Sequence, residues 1–194
     1  MTGVQTCALP IFSLLAAPAT LDRVLDFSEA SFDSLIDAMR ASTPWIVVDV
    51  PHVWSGWARR ILVSADEVIV VASPDLANLR NTKNLIDNVK GARLNDAPSR
   101  LVLNGVGMLK RPEIASAEFA KAVETDPTAI ISHDAKLFGA AANNGQMIAE
   151  IEPNGKTAQV FVDLASTLAG RAEARKPKRG VLEPLMARLG RKKK

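Results

Sequence analysis

The chain has 194 residues, of which 47% are hydrophobic and 23% are charged, an ordinary composition for a globular domain with a sizeable core. Its one cysteine, Cys7, excludes a disulfide framework and fits a reducing compartment. No apolar run approaches the roughly eighteen residues that would span a bilayer. These features predict a cytoplasmic protein.

Charge is unevenly distributed along the chain. The formal net charge is +3, yet residues 171–194 hold ten Lys or Arg and two Glu and so carry +8, which leaves −5 on the remainder. A mildly acidic body argues against a surface that binds nucleic acid. It also places any electrostatic targeting in the tail.

The first eleven residues differ in character from those that follow. They read MTGVQTCALPI, which matches the translation of a common sequencing-library adapter. A short signal peptide is the alternative, but the segment has no basic start and no small-residue cleavage site. We interpret residues 1–11 as an artefact, and we expect real sequence to be missing upstream and Cys7 not to be native.

From Phe12 onward, apolar strand-like segments alternate with amphipathic helices. A short strand is predicted over 12–17, a helix over 31–39 that Ser31 could cap, and a strand over 45–51 whose β-branched run is typical of burial on both faces. The later elements are predicted as helix 53–63, strand 67–72, helix 76–89, strand 100–104, helix 112–123 with Pro112 in its first turn, strand 129–131, helix 135–143 and helix 157–172. This alternation predicts parallel βαβ units and a three-layer α/β fold.

Polar residues follow three of the predicted strands, at the place where open parallel sheets bind ligands. They are Asp49, Asn104 and the stretch 132–134. Asp49 suits a carboxylate that orients hydrated Mg²⁺ beside nucleotide phosphates, or it merely caps the turn after its strand. The Asn104 amide could pair with a donor and an acceptor on a purine edge, or it could form an Asx turn without a ligand.

Other kinds of site have less support. His52 and His133 have no partner at metal-ligand spacing, which argues against a zinc site. The sequence has no nucleophile elbow with serine, histidine and aspartate in the order of a catalytic triad, which argues against a serine hydrolase site. The three tryptophans are interpreted as packing residues and not as a base-stacking platform: Trp45, Trp54 and Trp57.

Five segments carry a resemblance to a known family; they are 45–54, 65–71, 74–81, 101–104 and 144–146. Together they resemble the MinD/ParA superfamily of deviant Walker-type ATPases, and more narrowly its pilus-assembly CpaE/TadZ branch. The resemblance covers residues 12–168. It implies a three-layer P-loop NTPase fold with a mostly parallel sheet, which would be incomplete here because the phosphate-loop strand lies upstream in relatives.

The resemblance also implies roles for single residues. Asp49 would be the Walker B carboxylate that acts on Mg²⁺ through water, and Asn104 would contact adenine. Asp134 lies where relatives often have a Pro-x-Asp motif near the base, although Ser132 replaces the proline. Asp75 and Arg80 would adjoin a dimer interface.

No glycine-rich phosphate loop with its lysine is present in the sequence. The resemblance implies a parent protein that binds ATP and Mg²⁺ as a homodimer. The chain as given lacks the loop and is expected to be inactive. The implied function is to localise or assemble a tight-adherence, Flp-type pilus or secretion apparatus together with its machinery proteins. A non-hydrolysing scaffold of the same fold is one alternative. A DNA-partitioning ParA is another, which the acidic body disfavours, and no specific nucleic-acid partner is expected.

The predicted organisation is an artefact over 1–11, the carboxy-terminal part of an ATPase domain over 12–172, and a basic linker and tail over 173–194. The tail places apolar and basic residues at helical spacing: Leu182, Leu185, Met186, Leu189, Arg188 and Lys192. It resembles the membrane-targeting helices of MinD-type ATPases, which implies peripheral binding to an anionic inner membrane or cell pole. A solvated basic tail is the alternative.

Overall fold

A computed structural model of the chain describes residues 13–16, 28–51, 54–94 and 96–170. The chain forms two compact units, Met1–Ser64 and Ala65–Lys194. Among the helices of the described ranges, none is both long enough and apolar enough to cross a membrane.

The first unit contains the helices α1, Glu29–Arg40, and α2, Gly56–Ser64. Ser28 is the N-cap of α1 and accepts a hydrogen bond from the backbone N–H of Ser31 at 3.2 Å. The predicted cap, Ser31, therefore lies in the first turn, because the helix begins earlier than its apolar periodicity. The rings of Phe32 and Trp57 stack with centroids 4.4 Å apart, and this contact holds α1 against α2.

The packing interpretation is right for Trp57 and wrong for the other two tryptophans. Trp45 is 64% exposed and Trp54 is 51% exposed. Neither side chain is part of the core described for this structure, so apolar character alone did not decide their burial.

Two strands predicted for the first unit are not formed. Residues 13–16 and 44–51 have no strand structure, and Val47 is 92% exposed. A strand exists only where its backbone groups pair with a neighbour, and within the described ranges no residue pairs with either segment. The predicted burial of 45–51 on both faces is therefore wrong here.

The second unit is built on a parallel sheet in the order β1-β2-β3. Its strands are β1, Ile69–Ala72; β2, Arg100–Val106; and β3, Pro127–Ser132. Its helices are α3, Leu76–Ala92; α4, Ser116–Val123; α5, Ala135–Asn144; α6, Ile148–Ile151; and α7, Lys156–Leu168. Parallel strands joined by helices confirm the predicted α/β class.

Helices cover β2 on both of its faces. Val102 lies in a cluster with residues of β3, against which side chains of α5 and α7 pack. Leu101 and Leu103 point to the opposite face, because side chains alternate along a strand, and both are fully buried. The helix α3 packs against β1 and against α4. The result is the predicted three-layer arrangement.

Several predicted boundaries are displaced. The strand β2 runs through Val106, beyond its predicted end at Asn104, and α4 begins at Ser116, well after Pro112. The four-residue helix α6 is too short to show an apolar period and was not predicted.

One charged pair lies at the amino-terminal edge of this sheet. Arg100 donates from Nε and Nη2 to the two carboxylate oxygens of Glu67, both at 2.9 Å. This bidentate contact lowers the pKa of Glu67, against the opposing effect of partial burial, and raises the pKa of Arg100. The pair links the start of β2 to the segment that leads into β1, so its role is structural.

Candidate functional site

The three parallel strands end at one edge of the sheet, which we call the carboxyl edge. The segments that follow them are 73–75, 107–113 and 133–134. Backbone hydrogen bonds join these segments: the N–H of Ile114 donates to the carbonyl of Pro74 and that of His133 to the carbonyl of Val106, both at 2.8 Å. The strand ends therefore form one continuous surface, where ligands bind in open parallel sheets.

Asn104 lies in β2 opposite Ile131, and its side chain is exposed. The register between β2 and β3 shifts after it, where Gly105 has a φ of 71°. Such a bulge re-aims a side chain, and glycine adopts this backbone conformation without a steric penalty. Within the described ranges the Asn104 amide has no hydrogen-bond partner, so the Asx-turn alternative is not formed.

Asp134 lies at the same edge, two residues after the end of β3, and its carboxylate has a local structural role. It is the N-cap of α5 and accepts a hydrogen bond from the N–H of Leu137 at 2.9 Å. The residue opposite Val106 in the ladder is Ser132. The structure therefore brings Asn104 and Asp134 to neighbouring strand ends, and any contact of Asp134 with a base stays a prediction.

Asp49 lies in the extended segment of the first unit, and its side chain is exposed. Its predicted place at the end of a buried strand is wrong in this structure, because that segment has no pairing partner in the described ranges. Within those ranges there is also no group of three or more acidic, His or Cys residues that could hold a metal by itself. The role of Asp49 toward Mg²⁺ stays a prediction.

Glu113 is a residue of the carboxyl edge that sequence reasoning missed. Its carboxylate accepts hydrogen bonds from the N–H groups of Gly107 and Met108, each as short as 2.9 Å. These two bonds, that of Gly107 first, lower the pKa of Glu113. Gly107 has a φ of 85°, a backbone conformation that glycine adopts without a steric penalty. The sequence feature that could have indicated this loop is the pair of closely spaced glycines followed by Arg-Pro-Glu.

Asp75 and Arg111 join the loops that follow β1 and β2. Asp75 is the N-cap of α3 and accepts from the backbone N–H of Asn78 at 2.9 Å, and the guanidinium of Arg111 pairs with its carboxylate. The Asn78 bonds are the main cause of the lowered pKa of Asp75, and Arg111 adds to them. The resemblance implied a dimer interface beside Asp75, which stays a prediction, and sequence reasoning missed both the cap and the ion pair.

The other predicted site residues lie outside the described part of the chain. These are the tail residues Leu182, Leu185, Met186, Leu189, Arg188 and Lys192. The predicted artefact over 1–11 and His52 also lie outside it.

No family model matches the sequence, and no curated protein is similar enough to count as a relative. Solved structures do share the fold. The ParA family ATPase from Chlorobium tepidum TLS aligns with a TM-score of 0.67 and 22% identity, over 80% of this chain and 63% of that one.

Two MinD structures align similarly. The septum site-determining protein MinD from Pyrococcus horikoshii OT3, complexed with Mg-ADP, gives a TM-score of 0.62 and 22% identity over 75% of this chain and 60% of that one. The MinC:MinD cell division complex from Aquifex aeolicus gives a TM-score of 0.61 and 21% identity over 77% and 62%.

The second unit's parallel sheet and flanking helices thus belong to the fold of ParA and MinD ATPases, a P-loop NTPase fold, as the sequence predicted. The chain spans less than two thirds of the length of these solved proteins, between 60% and 63%. At about one identical residue in five, the likeness establishes the architecture.

Proposed function

We propose that the chain is the carboxy-terminal part of a MinD/ParA-like ATPase that binds its nucleotide base at the carboxyl edge of the second unit. The observation that carries this proposal is Asn104, whose exposed amide lies at a bulge on that edge and has no partner among the residues that the structure describes. The ParA and MinD fold supports it, and one of the solved MinD structures is a complex with Mg-ADP.

The chemistry of an asparagine amide suits adenine. Its carbonyl accepts and its NH₂ donates, and adenine offers a donor at N6 next to an acceptor at N7. Guanine offers two acceptors at the corresponding positions, so the same amide orientation leaves one bond unmade. Asn104 is therefore proposed to select ATP over GTP.

Mg²⁺ would be bound mainly by phosphate and water oxygens, with Asp49 orienting a coordinated water. A hard cation that keeps several waters needs only one or two carboxylates. The exposed, single carboxylate of Asp49 fits that arrangement. The bound cation would neutralise charge on the phosphates during transfer.

The wider function is proposed from the resemblance to the CpaE/TadZ branch. The parent would act as a homodimer in the cytoplasm, where it localises or assembles a Flp-type pilus or secretion apparatus. A non-hydrolysing scaffold is the second candidate, because the CpaE/TadZ branch that the sequence resembles includes proteins with altered phosphate loops. The net charge of −5 outside the tail disfavours a DNA-partitioning role.

The tail from 181 to 194 is proposed to hold the parent reversibly at an anionic membrane. Each basic residue near such a surface contributes about 1 kcal/mol, and a dimer would present two tails. Co-sedimentation with anionic vesicles tests this. Deletion of the tail should abolish binding, and unchanged binding would show that the tail is only a solvated segment.

The ATPase proposal is tested in the full-length protein, meaning the product of the gene recovered from uncut genomic DNA. Asp49→Ala should lower ATP turnover roughly 10²-fold, since a misplaced Mg²⁺ and phosphate lose their reactive alignment. Asp37→Ala is the matched control, because Asp37 is an exposed carboxylate on α1. Equal turnover in both variants would contradict the Walker B assignment, and ATP binding without turnover in the wild type would favour the scaffold.

A further inference from the structure

The loop over 107–113 is closed by one of its own side chains. The Glu113 carboxylate spans the loop and accepts from Gly107 and Met108, with both of its oxygens in use. Bonds from backbone amides to an ionised carboxylate are stronger than neutral ones. The loop therefore has a fixed start and end, and its shape does not depend on packing by its exposed residue Leu109.

The closed loop is also anchored from outside. The N–H of Ile114, directly after Glu113, donates to the carbonyl of Pro74 at 2.8 Å, and Arg111 pairs with Asp75. Since Asp75 is the N-cap of α3, the loop is tied to a helix that packs against the sheet. Two independent contacts thus fix the loop relative to β1.

The fixed loop begins just after the bulge that directs Asn104. Only Gly105 and Val106 separate Asn104 from the first amide that Glu113 holds. Val106 is also held from the other side, because its carbonyl accepts from His133. If the loop opened, the last residues of β2 would lose one of the two constraints that keep the bulge in place.

We propose that Glu113 is a positioning residue that, through the loop and the bulge, directs the Asn104 amide and so sets the preference for adenine over guanine. This inference rests on the proposed function. Arg111 and His133 are the charged or titratable groups whose fields act on Glu113, and both favour its ionised form. The carboxylate is therefore present whenever the protein is near neutral pH.

The test uses the full-length protein and compares Glu113→Gln with Glu118→Gln. Glutamine keeps the length of the side chain but replaces one acceptor oxygen with a donor, so one amide bond is lost. Glu118 is an exposed carboxylate in the first turn of α4 and serves as the matched control. Dissociation constants for Mg-ATP and Mg-GTP are measured by calorimetry. We expect the ATP-to-GTP preference to fall about tenfold in Glu113→Gln and to stay unchanged in Glu118→Gln.

Amide NMR shifts of Gly107 and Met108 provide the second readout. Both should move upfield in Glu113→Gln and stay in place in Glu118→Gln. If Glu113→Gln does not fold, an acid titration of the wild type replaces it. In that titration the two amide shifts and the nucleotide preference should change together.

The possible results distinguish a failure of the role proposed for Glu113 from a failure of the proposed nucleotide binding. A wild type that binds no nucleotide overturns both. A wild type that prefers ATP, with the same preference in Glu113→Gln, overturns the role of Glu113 and leaves the proposed function standing. Equal weakening of ATP and GTP overturns it too, because a misdirected Asn104 affects the two bases differently.

Discussion

Residues 45–50 and the strand β1 are similar runs of apolar, β-branched residues, yet only β1 is a strand. Ile69 is in register with Arg100 of β2, and Val70 is only 6% exposed. Val47, in the other run, is 92% exposed. The strand β1 has a neighbouring strand, whereas residues 45–50 have none within the described ranges. A buried strand requires a partner for its backbone groups, and the side-chain pattern does not show whether that partner is present.

Within β1, only one face of the strand is covered. Its residues alternate between exposed and buried, and Val71 is 60% exposed on the face opposite Val70. In the described ranges β1 pairs with β2 alone.

The loss of unfolding free energy should be greatest for a core residue and close to zero for an exposed one. Phe119 of α4 is 0% exposed, so Phe119→Ala should lower the free energy of unfolding by about 3–5 kcal/mol. Val47→Ala should change it by less than about 0.5 kcal/mol. Urea unfolding of the 194-residue chain, followed by circular dichroism, measures both. A comparable loss for Val47→Ala would mean that residues 45–50 are packed after all.

A smaller effect is expected at the helix caps of the second unit. Asp75 and Asp134 each accept from a backbone N–H of the helix that they cap, both at 2.9 Å. Replacement by Ala should cost about 1 kcal/mol, and replacement by Ser should restore most of it. Chemical denaturation measures these differences. If Asp134→Ser restores stability yet changes nucleotide affinity in the full-length protein, the carboxylate has a role beyond capping.

The smallest effect is a dependence on acid. Glu67 has a folded-state pKa below its ordinary value of 4.5, chiefly because Arg100 donates to it. Its contribution to stability is complete above that value and is lost as pH falls through the lowered pKa. Unfolding free energies measured from neutral pH to pH 3 should therefore decline less in Glu67→Gln than in the wild type. Identical declines would show that the pair with Arg100 adds nothing.

The sequence predicted helices, whose backbone hydrogen bonds are local, and strands that have a neighbouring strand in the described part of the chain. The helices α3 and α5 begin where their apolar period begins, at Leu76 and Ala135, and β2 was recognised by its buried run. The start of α4 was misplaced because Glu113 binds loop amides, so Pro112 does not begin a helix. Hydrophobic periodicity does not reveal a hydrogen bond between a side chain and the backbone of its own loop.

Some residues of the candidate site could be predicted from the sequence, and others could not. Asn104 and Asp134 could be found because each follows a strand pattern, and parallel topology brings strand ends together. Arg111 and Glu113 lie in a loop with no periodic signal, and their partners, Asp75 and two backbone amides, become visible only in the folded chain. The buried strand end expected for Asp49 is not formed, because residues 45–50 have no neighbouring strand in the part of the chain that the structure describes.

The most direct test of the account is the nucleotide preference of Asn104→Ala in the full-length protein. The exposed amide at the carboxyl edge is proposed to read the base, so its removal should weaken Mg-ATP more than Mg-GTP. A lost pair of hydrogen bonds predicts a reduction in the ATP-to-GTP preference of about tenfold or more. Calorimetry with both nucleotides measures it. Equal losses for the two nucleotides, or no loss for either, would contradict the claim that Asn104 contacts adenine.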